Sequence, residues 1–192
     1  MSPRVREVNL PTFRRATAED AQSLAVSSFQ RGERVDMNAI AAQLDIGRST
    51  LYRWVGDREK LMDRVILISI GHLWERSRSD ADGEGIELAL DAVARFMHNC
   101  VEYVPLTQFA QREPNLALRV LLDPDGLVTT ALQRTLSRNI RSVAPNLVID
   151  DESIGVLVLT ATALIWANVA ASREPNIDAT IGIMRTVLST PH

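Results

Sequence analysis

Apolar residues recur along this chain at spacings of three and four, the period of an amphipathic helix. No stretch alternates convincingly as a half-buried strand would. The pattern predicts an all-α chain. A first helix starts at the capping-box-like Thr17-Ala-Glu-Asp20 and runs to about Arg31, with Ala21, Leu24, Ala25 and Ser28 inward and Gly32 ending it. Two short helices follow, Asp36–Leu44 and Arg48–Trp54. A long helix from about Asp57 to Ser79 carries the stripe Leu61, Val65, Ile68 and His72, broadened by Met62, Ile66, Ile70 and Leu73. The polar run from Ser77 to Gly85 reads as a linker. A helix over about 85–104 turns Ile86, Leu90, Val93, Met97, Cys100 and Val104 inward, and Pro105 closes it. Pro114 and Pro124 then cut short helices over about 106–113 and 115–122. A helix over about 125–143 buries Leu127, Ala131, Leu132, Leu136 and Ile140. Ile154 to Ala171 is apolar nearly all round, and a last helix over about 176–190 carries Ile177, Ile181, Met184 and Leu188.

The two short helices organise the rest. Asp36 can cap the first, and Ile40, Ala41 and Leu44 line one of its faces. Asp45-Ile46-Gly47 makes a tight turn, since Asp tolerates the left-handed region it needs, and Gly47 is free to enter or cap the next helix. Small Ala41 and Ala42 let the helices approach. Leu51 and Val55 point inward, leaving Arg48, Ser49, Tyr52 and Arg53 outside. A helix-turn-helix needs this arrangement: one helix braces while the second presents its N-terminal side chains to base edges in a major groove. Arg reads guanine O6/N7, and Tyr reaches phosphate or a thymine methyl. The plainer reading is a helical hairpin with a solvated polar face.

Charge adds to this picture. The 192 residues carry 21 basic against 24 acidic side chains, a net of −3, which argues against a general nucleic-acid coat. Residues 1–60 hold 10 against 8, net +2, and the remainder 11 against 16, net −5. A small DNA module on an acidic body fits. All the basic residues but Lys60 are Arg. Residues 1–16, with Arg4, Arg6, Arg14 and Arg15, read as an arm able to enter a minor groove, or else as a solvated tail. Nothing there resembles a secretory signal, so the expected location is the cytoplasm. The single Cys100 excludes an internal disulfide, and no metal or cofactor motif is present. His98 and Cys100 lie two apart and face different sides of one helix. No Gly-rich loop or nucleophile motif appears, so an enzyme is not expected.

The segment I-G-R-S-T-L-Y-R-W-V-G-D-R-E-K-L resembles the signature of the TetR/AcrR family of regulators, with Ile46, Thr50, Leu51, Tyr52, Glu59 and Leu61 in matching places. Gly47, Ser49, Val55 and Arg58 depart from the usual Ser, Gly, Phe and Lys. The likeness spans residues 17–62. It implies a DNA-binding head over residues 1–60 and a ligand-binding, dimerising body over 61–192. The implied activity is a ligand-responsive homodimeric repressor on a palindromic DNA operator. The candidate DNA contacts are Arg48, Ser49, Thr50, Tyr52, Arg53, Trp54, Arg58 and Lys60, with Asn38 and Thr17.

The resemblance also implies a pocket for an unknown small-molecule effector. Its candidate lining is Phe96, Asn99 and Tyr103 from one helix, Gln108, Phe109, Gln111 and Arg112 from the next, and Thr162 and Trp166 from the apolar helix. The helices over about 153–173 and 176–190 resemble the family's paired dimer helices. An all-round apolar helix is buried on two fronts or spans a membrane, and the Thr and Asn residues and acidic flank favour burial. The run Q-F-A-Q-R-E-P-N-L-A-L-R-V-L and the arm resemble a QsdR-type subset associated with quorum-signal lactone degradation. The competing functional reading is a helical scaffold module that reads no DNA.

Overall fold

Side chains that accept the orphan N–H groups of first turns set many of the helix starts. Thr17 and Asp20 form a reciprocal capping box, and Asp36, Asp57, Asp150 and Asn176 cap four more helices. The computed structural model describes residues 15–189. The expected arm, apart from Arg15 and Ala16, lies outside them, as does His192. Among the described residues there are ten helices and no strand: α1 Ala18–Gln30, α2 Met37–Gln43, α3 Arg48–Val55, α4 Arg58–Ser79, α5 Gly85–Glu102, α6 Val104–Arg112, α7 Pro114–Leu122, α8 Leu127–Val143, α9 Asp151–Ala170 and α10 Ile177–Leu188.

Helices α1–α3 form a head around Ala21, Ala25, Phe29, Ile40, Ala41, Leu51 and Val55. Helix α4 packs on α1 on one side and on α5, α7 and α8 on the other, so one rigid element belongs to both parts. The body closes around α9, which packs against α6, α7, α8 and α10.

Several faces differ from the sequence expectation. On α4 the buried stripe is Leu61, Met62, Val65, Ile66, Ser69 and Ile70, and it ends at Ser77. Ile68 is 46% exposed and His72 faces solvent beside the Tyr103 ring. The helix is squeezed between two partners, so residues four apart from Leu61 and from Met62 both turn inward. Ala42 is exposed, and Ala41 alone gives the close approach of α2. Phe29 is the aromatic anchor of α1, where Ser28 was expected. Pro105 does not close α5. It sits in the first turn of α6, where a missing N–H costs nothing, and Val104 begins that helix 58% exposed. Helix α8 starts at Leu127, which points outward at 46% exposure, while Val128 is buried. Helix α9 begins at Asp151, since Asp150 accepts from the Ser153 N–H at 2.7 Å.

Candidate nucleic-acid interface and ligand cavity

The α2–α3 turn is built by backbone. Asp45 adopts φ 51°, and the Ile46 N–H donates to Ala41 O at 3.0 Å. Gly47 caps α3 without a side chain, and the Thr50 N–H of the first turn donates to Gly47 O at 3.0 Å. At the far end Gly56 turns at φ 77°, and Arg64 of α4 donates to Val55 O at 2.9 Å. Asp36 accepts from Asn38 and Ala39 N–H at 2.7 and 3.1 Å, and those two bonds hold its carboxyl below the usual aspartate range.

On this frame Leu51 and Val55 are fully buried, and Arg48, Ser49, Tyr52 and Arg53 are exposed together on one side of α3. Lys60 and Asn38 are also exposed, and Thr50 is half-buried. Trp54 is half-buried against the head core. The Thr17 hydroxyl is engaged in the α1 capping box with Asp20 at 2.8 Å. Arg58 departs from its expected place at the DNA backbone. Its guanidinium donates to Val35 O at 2.7 Å and pairs in bidentate fashion with Glu113 at the α6–α7 corner. The Arg58 hydrogen bonds hold the Glu113 carboxyl below the ordinary glutamate range.

Other polar ties join head and body. Arg112 donates to Gly32 O at 2.8 Å, and Arg119 pairs with Glu59 at 2.8 Å. Asp63 of α4 accepts from the Leu127 and Val128 N–H groups at 2.6 and 2.9 Å, capping α8, whose own N-cap is Gly126.

The body holds a cavity of about 80 Å³. Ile70 and Trp74 of α4, Val93, Phe96, Met97 and Cys100 of α5, Val128, Leu132 and Thr135 of α8, and Val158, Thr162, Ile165 and Trp166 of α9 contribute to its wall. Trp74 and Phe96 meet edge to face at 5.6 Å. No charged side chain lines it, and burial pushes the Cys100 thiol well up.

Of the nine expected effector residues, Phe96, Thr162 and Trp166 meet at this cavity. Asn99 instead donates to Ser77 Oγ at 2.8 Å, toward α4. Tyr103 stands between the rings of Phe29 and His72, where burial raises its phenol pKa. Phe109 and Arg112 line a separate concavity of about 390 Å³ between head and body, beside Arg34, Arg58 and Glu113. Gln108 lies against Gly32, and Gln111 is exposed. Sequence reasoning missed Trp74, Met97, Cys100, Leu132 and Met184 as lining, because an inward apolar residue reads the same whether it meets a neighbour or a void.

A helix-turn-helix head joined by one long helix to an all-helical body with an internal cavity is the build of a one-component transcriptional regulator. Residues 84–189 match the family described as Tetracyclin repressor-like, C-terminal domain. Among solved structures the chain is similar to the R. erythropolis transcriptional repressor QsdR from the TetR family, with a TM-score of 0.82 over 91% of this chain and 95% of that one. Sequence identity is 24%, so that likeness speaks for the fold. No curated protein matches. The chain belongs to the TetR family of transcriptional regulators.

Proposed function

We propose that this regulator is a homodimeric repressor whose α3 reads a palindromic operator and whose body cavity receives a small-molecule effector. The observation that carries the reading is the exposed ridge Arg48, Ser49, Tyr52 and Arg53, backed by the fully buried Leu51 and Val55. Long polar side chains held on a braced helix are pre-organised for a groove, and Arg is suited to bidentate base contacts. Lys60, beyond α3, supplies a backbone contact. Arg58 acts indirectly, by fixing α4 against the α6–α7 corner.

The dimer face is the outward side of α9 and α10. Val156, Leu164 and Ile183 are 60%, 39% and 48% exposed, an apolar stripe that water disfavours. Helix α9 is long and apolar enough to cross a membrane by length and composition. Its inner side is a core face, and burying the outer side against a second copy accounts for its all-round apolar character. As a regulator acting on DNA in this reading, the protein would work in the cytoplasm, and α9 needs no membrane partner.

Coupling runs along α4 in this reading. Its Ile70 and Trp74 touch the cavity, and its Asp63 holds the start of α8, which supplies Val128 and Leu132 to the same wall. An effector that spreads the wall moves α4, and with it the head (residues 1–60) relative to the body (61–192). The two α3 ridges then lose the spacing of about 34 Å that successive major grooves demand.

The test is a shift assay on a duplex selected from random DNA, comparing the wild type with Arg48→Ala/Tyr52→Phe. We expect the variant to lose affinity and relax sequence preference while its fold is unchanged. Equal affinity and preference would overturn the assignment of the reading helix, and absence of any salt-sensitive DNA binding would favour a scaffold.

A further inference from the structure

Helical Thr and Ser residues in apolar surroundings ordinarily return their hydroxyl to the carbonyl one turn back. Thr180 and Ser77 do so at 2.9 and 2.7 Å. Thr162 does not. It is 9% exposed, lines the cavity, and its hydroxyl has no hydrogen-bond partner among the described residues. Trp166, one turn on along the same face of α9, is 7% exposed and lines the same cavity, and its indole N–H likewise has no acceptor there. An indole N–H is a donor only, and a hydroxyl donates as readily as it accepts. Two donors at adjacent positions suit a ligand acceptor such as a carbonyl oxygen.

The remaining wall sets the rest of the ligand. Trp74, Phe96 and Cys100 offer apolar and polarisable surface, and Thr135 of α8 is the other hydroxyl. With no charged side chain on the wall, an ionised ligand would be buried without a counter-charge. At about 80 Å³, against the roughly 150 Å³ of an apolar cavity that holds one benzene, the space takes about three non-hydrogen atoms before the wall must move.

We propose that the cavity takes an uncharged ligand with a short apolar body and one carbonyl-type acceptor, received by the Thr162 hydroxyl and the Trp166 indole N–H. This assignment rests on the effector-cavity reading and adds the ligand's chemical class to it. Larger ligands of the same class enter by spreading α4 and α8, which is the motion that reading requires.

The experiment titrates the intact protein with three probes of similar size, followed by tryptophan fluorescence and by the methionine methyl resonances: 2-hexanone, its isosteric alkane 2-methylhexane, and hexanoate at pH 7. We expect both neutral probes to bind and hexanoate to bind far more weakly. Thr162→Val, which keeps shape and removes the donor, should weaken 2-hexanone about fivefold, the worth of one ordinary hydrogen bond, and leave 2-methylhexane unchanged or tighter. Trp166→Phe should again lower the ketone-to-alkane affinity ratio. An unchanged ratio in both variants, or hexanoate binding as tightly as the ketone, would overturn the proposed ligand class while the cavity reading stood. Failure of the wild type to bind even the alkane would overturn the cavity reading and this proposal together.

Discussion

The two ends of α4 are held in different proportions: directed polar ties are several at the N-terminal end, whereas at the C-terminal end the tie from Asn99 to Ser77 Oγ stands beside a cavity wall. The N-terminal end is tied by directed polar contacts: Arg58 to Val35 O and Glu113, Asp63 to the first N–H groups of α8, Glu59 to Arg119. The C-terminal half, with Ile70 and Trp74, lies against an apolar void. Hydrogen bonds fail within a few tenths of an ångström and so fix a position, whereas apolar walls accept many shapes at similar energy. A lever built this way senses a ligand at its forgiving end and reports it through the end whose register is fixed.

Substitutions at the two ends should therefore behave differently. The largest effect belongs to the apolar half. Ile70→Ala should lower unfolding free energy by about 2–4 kcal/mol, since it enlarges a void the surroundings already fail to fill; chemical denaturation with an unchanged m-value checks this. Next comes Arg58→Ala, at about 2 kcal/mol, because it leaves the Glu113 carboxylate half-buried without its partner. A double-mutant cycle with Glu113→Gln should show strong coupling for this pair and none between Ile70 and Glu113. Asp63→Ala should cost about 1 kcal/mol, the worth of an N-cap, with faster amide exchange at Leu127 and Val128 and little change in α3. Uniform effects along α4 would erase the distinction.

The smallest effect is in pH. Arg58 lowers the Glu113 carboxyl below its ordinary value of 4.5, so the pair contributes fully above that value and fades as pH falls through the lowered one. The thermal midpoint difference between the wild type and Glu113→Gln should be constant from pH 8 to about 5 and vanish on further acidification. A difference that grows toward acid would contradict the assigned sign.

The head was legible from the chain because its signals are local. A cap at Asp36, a left-handed Asp45, inward Leu51 and outward Arg48 and Tyr52 all lie within twenty residues, and one helical period orders them. The seam and the cavity depend on partners far apart in sequence. Nothing near Arg58 announces Glu113, 55 residues on, and nothing in the α5 pattern separates Phe96, which meets the void, from Asn99, which turns to Ser77. The α4 stripe misled for a related reason. Ile68 fits the helical period of Leu61 and Val65, but a helix held between two partners buries a different arc.

The central claim is that paired copies of α3 read a symmetric duplex. Footprinting of the wild-type protein on its own selected duplex addresses it most directly. The account predicts two protected half-sites related by two-fold symmetry, their centres about 10 base pairs or a whole multiple of that apart, with two chains bound per duplex at minimum. A single unsymmetric footprint from one chain, or protection that follows no sequence, would contradict it.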